Sequence, residues 1–385
     1  MDFSHYLQKV QGSATAQIFA KATSMAKQGK DVIHLEIGQP DFLPLDDILQ
    51  ATSRAVLEGK TQYTISRGIE SLRKEISLYH KSMNGVDVDE NREIIITSGG
   101  KLGLFGSLWA LLDIGDNVIV LNPSWVSYND IILSLGGEPR FIPVDANFGF
   151  DEELIRDSID PKTKAIIVNS PSNPTGALIS QKNLQVLYDI ASENNITLIS
   201  EEMYSEFVYG SDKHHSLLEI KNWQDHGIVN QSLSKTFSMT GFRIGYVMSQ
   251  ESLISEINKV NQLTSSCATK FAQYGAIEAF KKIDLMRKKI NELMPRRRDL
   301  MTKLLSELPV DYFPPKGAIY GWIGIPTMSN SIKWCEELLT SVGVATTPGR
   351  AFGPDGEGYL RISFAVKDDM LEEGITRIGK FLSRN

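Results

Sequence analysis

A lysine surrounded by hydroxyl side chains is the first candidate for chemistry. It is Lys235, in the segment SLSKTFSMTGFRIGY (residues 232–246), which also contains Ser232 and Arg243. Hydroxyls and an arginine suit a phosphate dianion, because a guanidinium can donate two parallel hydrogen bonds to it. A lysine beside a phosphate site suits a Schiff base with an aldehyde cofactor. The segment therefore indicates a phosphate-bearing cofactor, and a polar loop with a surface lysine is the alternative.

The same segment also matches a hydrolase motif. Residues 232–235, Ser-Leu-Ser-Lys, have the S-x-x-K spacing of penicillin-binding proteins. That chemistry requires the triplets S-D-N and K-T-G elsewhere in the chain. Neither triplet occurs, and the sequence therefore argues against a hydrolase of this class.

A glycine pair follows an apolar run in IIITSGGKLGLFGSLWALL, residues 94–112. At such a turn, Gly99 and Gly100 let backbone N–H groups approach an anion, and the start of the following helix adds a favourable dipole. The segment is neither a Walker loop nor a dinucleotide-binding fingerprint. Anion binding is one interpretation, and a tight turn that needs the torsional freedom of glycine is the other.

Further polar side chains follow two other apolar runs. Asn173 lies in the turn NSPSNPTG, and the acids Glu201 and Glu202 end the run ITLIS, with Tyr204 close behind. Successive side chains of an extended chain face opposite ways, so only one of the two glutamates can face a shared ligand. A carboxylate at the carboxyl end of a central strand is well placed to meet a protonated ring nitrogen.

The elements that must position these residues alternate along the chain. Short apolar runs rich in β-branched residues are typical of buried parallel strands; they cover residues 92–98, 117–121, 165–168, 196–200, 227–231 and 243–249. Helical patterns lie between them, such as 181–193 with Ser180 as its N-cap. This alternation predicts an α/β fold whose mostly parallel sheet binds ligands beyond the carboxyl ends of its strands.

The two ends of the chain have a different pattern. Helices are predicted at 13–28, 46–58, 331–341 and 367–383, a long helical stretch at 251–306, and strands at 318–323 and 359–365. Gly29 and Gly59 would end the first two helices. We therefore expect a large domain over 46–285 and a smaller α+β domain built from 1–45 and 286–385.

Composition excludes several classes of protein. The 385 residues carry 40 Lys+Arg against 47 Asp+Glu, a formal net charge of −7, which gives no basic surface for a phosphate backbone. The cysteines, Cys267 and Cys335, form no CxxC pair, which fits a reducing compartment and argues against a cysteine-based metal site. No apolar run approaches the ~18 residues that a membrane span needs. We expect a cytoplasmic protein without nucleic-acid, membrane or metal binding.

Ordered motifs along the whole chain resemble the class I/II (fold type I) aminotransferases that use pyridoxal 5′-phosphate. The similarity is greatest to the subgroup that includes many prokaryotic aspartate aminotransferases. Besides the segments above, it covers SAT (13–15), IGQPDF (37–42), QYTISRGIESLR (62–73), NPSWVSY (122–128), EEMY (201–204) and GYLRISFA (358–365). The resemblance implies the two-domain fold, an exchange of an amino group between an α-amino acid and a 2-oxo acid by a ping-pong mechanism, and a homodimer.

The resemblance also implies a role for each matching position. Lys235 would bind the cofactor covalently and move the proton at the substrate α-carbon. The other cofactor-binding positions would be Ser232, Arg243, Gly99, Gly100 and Lys101 at the phosphate, Tyr63 reaching the phosphate of the neighbouring subunit, Trp125 stacked on the ring, Asn173 and Tyr204 at the ring oxygen, and Glu201 at the ring nitrogen. Arg361 would bind the substrate α-carboxylate, helped by Gly38 and Asn173.

Two positions depart from the family pattern. Glu201 stands where the family normally has aspartate, so the charge is kept but the side chain is one methylene longer. We expect Glu201 to take the role, with an altered rate or reaction preference. Gln39 stands where glutamate is more frequent, and this affects no catalytic assignment.

Substrate and reaction stay open at this point. Arg67 and Arg350 could meet an acidic side chain, whereas Trp109, Phe19 and Ile18 could line an apolar pocket. A carbon–sulfur β-lyase or related aldimine chemistry on the same scaffold is the alternative reaction. A non-catalytic regulator that binds the cofactor is a further alternative, although the family match begins too early for a preceding DNA-binding domain.

Overall fold

The apolar runs form strands in the computed structural model, which describes residues 3–10, 12 and 14–384. Within these residues the strands are β1 (Ile33–His34), β2 (Ile94–Thr97), β3 (Asn117–Asn122), β4 (Glu138–Pro143), β5 (Thr163–Asn169), β6 (Thr197–Glu201), β7 (Gly227–Ser232), β8 (Gly245–Met248), β9 (Asp311–Tyr312), β10 (Tyr320–Gly324), β11 (Val344–Ala345), β12 (Thr347–Pro348) and β13 (Tyr359–Ser363). Each of the six runs predicted to form the central sheet overlaps one of them.

The central sheet has seven strands in the order β2-β8-β7-β6-β5-β3-β4. All pairs are parallel except those made by β8, which is antiparallel to both β2 and β7. The prediction that residues 243–249 form a parallel strand is therefore wrong. The connection from β7 to β8 contains only a one-turn helix and a short 3₁₀ segment, and such a short return favours antiparallel pairing. The predicted mostly parallel α/β sheet is confirmed.

Helices surround the sheets, and the shorter predicted helices agree with the observed ones within a few residues, whereas the stretch predicted at 251–306 is divided into three helices. In the described part of the chain they are α1 (His5–Gln8), α2 (Ala14–Lys27), α3 (Asp46–Leu57), α4 (Glu70–Asn84), α5 (Gly100–Leu111), α6 (Ser127–Ser134), α7 (Glu152–Asp157), α8 (Gln181–Glu193), α9 (Leu233–Thr236), α10 (Glu251–Thr264), α11 (Lys270–Lys281), α12 (Ile283–Leu305), α13 (Ser331–Val342) and α14 (Asp368–Leu382). Helix α8 begins after Ser180, whose side chain accepts a hydrogen bond from the backbone N–H of Asn183. The sequence predicted both the bounds and the cap of α8.

The smaller sheets combine the two ends of the chain. Strands β12-β13-β10-β9 form an antiparallel sheet, and β1 pairs in parallel with β11. A hydrophobic cluster around these strands also includes Tyr204, Phe207 and Tyr209 from the segment after β6. The domain boundaries at 45/46 and 285/286 stay a prediction.

No helix in the described ranges is long and apolar enough to cross a membrane.

Candidate active site

The carboxyl ends of three central strands open into a cavity of about 320 Å³. Asn169, Glu201 and Ser232 are the last residues of β5, β6 and β7, and all three line it. The predicted site residues that line the same cavity are Gly38, Gly100, Lys101, Trp125, Asn173, Glu201, Tyr204, Ser232, Lys235, Arg243 and Arg361. The cavity thus brings together residues that are up to 323 positions apart in the sequence. Asn169, Glu201 and Ser232 lie close together because the ends of parallel strands meet at one edge of the sheet.

Lys235 lies on the one-turn helix α9, which Ser232 caps by accepting a hydrogen bond from the backbone N–H of Ser234. The Nζ atom of Lys235 donates a hydrogen bond to the carbonyl oxygen of Gly38, 2.5 Å away. Burial lowers the pKa of Lys235 from 10.5 to about 8, and the charges of Arg361 and Arg243 act in the same direction. A neutral, nucleophilic amine is therefore accessible near physiological pH.

The turn before α5 forms one end of the cavity. Gly99 has a φ of 84°, and a Cβ atom at this position would overlap the guanidinium of Arg243. A Cβ atom at Gly245 would overlap the backbone nitrogen of Gly100. Glycine at these positions lets the start of α5 approach Arg243 and Ser232, so that backbone N–H groups, a guanidinium and a hydroxyl converge. This combination suits a phosphate group.

Lys101 and Trp125 lie beside this turn. The Nζ atom of Lys101 is 4.9 Å from the centroid of the Trp125 ring, within the range of a cation–π interaction. Burial lowers the pKa of Lys101, and the charge of Arg243 lowers it further. The indole of Trp125 offers an aromatic face at the wall of the cavity, where a planar ring can stack.

The carboxylate of Glu201 lines the cavity and is almost fully buried. Its Oε1 atom accepts a hydrogen bond of 2.5 Å from Nδ2 of Asn230, its register partner on β7. Burial raises the pKa of Glu201 from 4.5 to about 8, the Asn230 hydrogen bond lowers it, and the charge of Glu202 raises it. A buried carboxyl with this pKa is ready to ionise when a cation binds next to it.

Arg361 is a further cation that lines the cavity. Its guanidinium donates hydrogen bonds to Asn173 Oδ1 at 2.9 Å, to the Glu36 carbonyl at 2.6 Å and to Thr347 Oγ1 at 3.2 Å. Its Nε atom is buried and has no partner among the described residues. Burial lowers the pKa of Arg361, as expected of a desolvated cation that an anion would stabilise. The geometry fits a carboxylate.

Tyr204 and Tyr320 share a hydrogen bond of 2.6 Å between their hydroxyls. Burial raises the pKa of Tyr204 well above 10, so its hydroxyl stays a donor. The ring of Tyr320 lies 4.3 Å from the Arg361 guanidinium carbon and fills the space over Gly38. Tyr320 was not among the residues predicted from the sequence. The available signal was that a tyrosine lies within the strand predicted at 318–323.

Several sequence candidates lie away from the cavity. Tyr63 is 83% exposed, as a residue that reaches a neighbouring subunit would be. Arg67 donates to the carbonyl oxygens of Arg92 and Ile94. The remaining candidates that do not line the cavity are Gly99, Arg350, Trp109, Phe19 and Ile18, although Gly100 and Lys101, which follow Gly99, do line it. Ser13 of the SAT segment lies outside the described residues. Within the ranges that the structure covers, no three His, Cys, Asp or Glu side chains are arranged to hold a metal ion.

Taken together, the cavity offers an anion cradle at the turn before α5, an aromatic wall, a buried carboxyl and a lysine with a lowered pKa. Arg361 adds a second anion site to the same cavity. Pyridoxal phosphate needs a phosphate site, a face to stack on, a partner for its ring nitrogen and an amine for its aldehyde. The residues present fit each of these four requirements.

Comparisons with known proteins agree with this geometry. Residues 30–378 match the family model for aminotransferase class I and II. The chain is 38% identical to a probable aspartate/prephenate aminotransferase of Aquifex aeolicus, over 96% of each chain. It is 33% identical to the aspartate aminotransferase of Thermus thermophilus with maleate, with a TM-score of 0.94 over 99% of each chain. An aromatic aminotransferase of Pyrococcus horikoshii is also 33% identical, with a TM-score of 0.86 over 94% of this chain and 99% of that one.

Proposed function

This chain belongs to the aminotransferase class I and II family and is an aminotransferase; from that premise we propose that it binds pyridoxal 5′-phosphate through Lys235 and accepts a dicarboxylic amino acid as its donor. One observation carries the proposal. Lys235, whose pKa is lowered to about 8, lines the same cavity as Arg243, the glycine turn and Glu201. A site for the phosphate, an amine for the aldehyde and a partner for the ring nitrogen are thus all provided.

The cofactor would be held by residues from several elements. Ser232, Arg243 and the turn Gly99-Gly100-Lys101 would bind the phosphate, and Tyr63 of a second copy would complete this site. Trp125 would stack on the ring, Glu201 would meet the ring nitrogen, and Asn173 and Tyr204 would donate to the ring oxygen. Bound there, pyridoxal phosphate supplies an aldehyde and an electron-withdrawing ring that makes the substrate α-proton acidic.

Lys235 would also have a second task. Its Nζ atom would be the base that removes the proton from the substrate α-carbon. The lowered pKa keeps much of this amine neutral near pH 8, and proton transfer is most efficient when the pKa of the base is close to the working pH. The Gly38 carbonyl, 2.5 Å from Nζ, holds the amine in the cavity.

Arg361 would orient the substrate through its α-carboxylate. Its guanidinium is already fixed by Asn173 and Thr347, so little conformational freedom is lost on binding. Water is displaced from a buried cation, which strengthens the electrostatic attraction.

The charges of the cavity favour an acidic donor. Four basic side chains line it, Lys101, Lys235, Arg243 and Arg361, against one carboxylate, Glu201, among the described lining residues. None of these four cations forms an ion pair with a described acidic side chain. Arg243 and the backbone of the turn Gly99-Gly100-Lys101 would bind the phosphate, and Arg361 would bind the α-carboxylate. The side-chain ammonium of Lys101 then stays available for a side-chain carboxylate. Aspartate and glutamate fit this charge balance better than aromatic donors.

Two further proposals concern assembly and location. Tyr63 is exposed and far from its own cavity, which supports a homodimer in which each subunit completes the site of the other. The cytoplasmic location rests on cysteine usage alone, with Cys267 and Cys335 both free.

A product assay tests the proposed function. Purified protein with pyridoxal phosphate and 2-oxoglutarate would be offered aspartate, phenylalanine or cysteine, and glutamate, ammonia and pyruvate would be measured separately. We expect glutamate formation with aspartate and little ammonia. Ammonia and pyruvate from cysteine would favour the β-lyase alternative, glutamate from phenylalanine alone would overturn the acidic donor, and cofactor binding without any product would favour a non-catalytic regulator.

A further inference from the structure

Asn230 lies directly beside Glu201 in the central sheet. The two residues are register partners in the parallel pair β6–β7, and Asn230 is fully buried. Its Nδ2 atom donates to Glu201 Oε1 at 2.5 Å and to the carbonyl oxygen of Gly100 at 2.9 Å. One amide group therefore connects the carboxyl of Glu201 to the glycine turn that begins α5.

The Gly100 carbonyl determines which way the Asn230 amide points. A carbonyl oxygen only accepts hydrogen bonds, so the nitrogen of the amide must face it. The same nitrogen then faces Glu201 as a donor, and a donor favours the ionised form of a carboxyl. The Oδ1 atom of Asn230 is buried without a partner in the described structure and lies where a Cβ atom at Gly103 would be. A buried acceptor without a partner destabilises the folded protein. An asparagine at such a position therefore indicates a role in the site.

Glu201 needs such a support more than a shorter acid would. The extra methylene adds one rotatable bond between backbone and carboxyl, and each freely rotating bond costs entropy when the group must be held in one orientation. The Asn230 hydrogen bond restricts this freedom from the neighbouring strand. It also counters the burial that makes the ionised carboxylate unfavourable.

We propose that Asn230 is a positioning residue of this enzyme: its amide holds the longer side chain of Glu201 with the carboxylate presented to the ring nitrogen of pyridoxal phosphate. The proposal rests on the proposed function, because it presupposes that this cofactor occupies the cavity. Asn230 does not line the cavity itself, but it enables Glu201 to take the role that aspartate normally has in the family.

The test compares Asn230→Ala with wild type by solid-state ¹⁵N NMR of enzyme loaded with ring-¹⁵N pyridoxal phosphate. The chemical shift reports whether the ring nitrogen is protonated, independently of turnover. Asn117→Ala is the matched control, because Asn117 is also a buried strand residue whose Nδ2 donates to a carboxyl group, that of Asp160 at 3.0 Å, but Asp160, unlike Glu201, does not line the cavity. Asn230→Ser serves if the alanine variant does not fold.

We expect the Asn230 variant to shift the ring-nitrogen signal toward the unprotonated form and to lower kcat about 10- to 100-fold, as is usual when a supporting hydrogen bond of a site is removed. KM for the amino acid should stay within about twofold, since Arg361 is untouched, and Asn117→Ala should leave the signal unchanged. An unchanged signal in the Asn230 variant, or an equal shift in the control, would overturn the inference while the aminotransferase function stands. Failure of the wild type to bind the cofactor would instead overturn the proposed function, and this inference with it.

Discussion

Glu201 and Glu202 are neighbours in the sequence, but their side chains line two different cavities. Glu201 faces the cavity and accepts from Asn230, whereas Glu202 accepts from Ser200 at 2.8 Å and contacts His214 Nε2 at 3.1 Å. Burial disfavours the charge of both residues. For Glu202 the contacts with His214 and the hydrogen bonds outweigh burial and lower the pKa, while the pKa of Glu201 is raised to about 8. The first carboxyl is thus free to respond to a bound cation, and the second is already paired.

The pH dependence of stability should distinguish these two acids in the cofactor-free protein. Because the pKa of Glu201 rises from 4.5 to about 8 on folding, its contribution to the free energy of unfolding is fully present below pH 4.5. This contribution is lost as the pH rises to 8. The loss amounts to about 1.4 kcal/mol of unfolding free energy per pH unit. Urea denaturation between pH 5 and 8 should therefore show wild type losing stability relative to Glu201→Gln. Glu202→Gln is the control, because a lowered pKa places its pH dependence below 4.5. Parallel curves for wild type and Glu201→Gln would contradict the assignment.

The rate of cofactor attachment should report the lowered pKa of Lys235. Only the neutral amine attacks an aldehyde, so the rate should rise about tenfold per pH unit below pH 8 and level off above it. Stopped-flow absorbance of cofactor-free protein mixed with pyridoxal phosphate measures this directly. A rate that keeps rising to pH 10 would show that the pKa of Lys235 is not lowered and would contradict this prediction.

Replacing Arg361 by lysine should weaken substrate binding while the cofactor stays bound. The guanidinium donates to a carboxylate from two positions, whereas an ammonium acts as a point charge. We expect KM for aspartate to rise about 100-fold, which corresponds to about 2.7 kcal/mol. Steady-state kinetics measure this, with Arg350→Lys as the control, because Arg350 is exposed and does not line the cavity. Equal KM values for Arg361→Lys and wild type would rule out the carboxylate role.

Removing one hydroxyl tests the shared site. Tyr63→Phe should raise the dissociation constant of pyridoxal phosphate about 10- to 150-fold, since a hydrogen bond to a charged group contributes about 1.5–3 kcal/mol. The thermal stability of the cofactor-free protein should not change, because Tyr63 is 83% exposed in the single chain. Tyr188→Phe is the opposite control: its hydroxyl donates to the Asn222 carbonyl at 2.5 Å, so stability should fall and cofactor affinity should not. Sedimentation showing a monomer with full cofactor affinity would contradict the homodimer.

Much of the fold could be predicted because its signals are local. Apolar runs gave the positions of the parallel strands, and Ser180 with the pattern after it gave helix α8 with its cap. Strand β4 was missed because it is an edge strand with a largely half-exposed surface and a proline near each end. Such a strand lacks the continuous apolar pattern on which the prediction depends.

The residues that support the site could not be predicted in the same way. Asn230 contacts Glu201 only because β6 and β7 pair in one register, and Tyr320 reaches Tyr204 from a strand 116 residues later. Arg67 follows a recognisable motif, yet its guanidinium turns to backbone carbonyls instead of the cavity. These outcomes depend on tertiary packing, which spacing along the chain does not encode.

The most direct test of the account is the half-reaction of the enzyme loaded with pyridoxal phosphate, mixed with aspartate in the absence of any 2-oxo acid. We predict that the absorption of the bound cofactor changes to that of pyridoxamine phosphate, one per active site, with release of oxaloacetate. Lys235→Ala should slow this conversion about 10²- to 10⁴-fold, the usual effect of losing a general base. A cofactor spectrum that no amino acid converts to pyridoxamine phosphate, or a Lys235→Ala variant that converts as fast as wild type, would contradict the central claim.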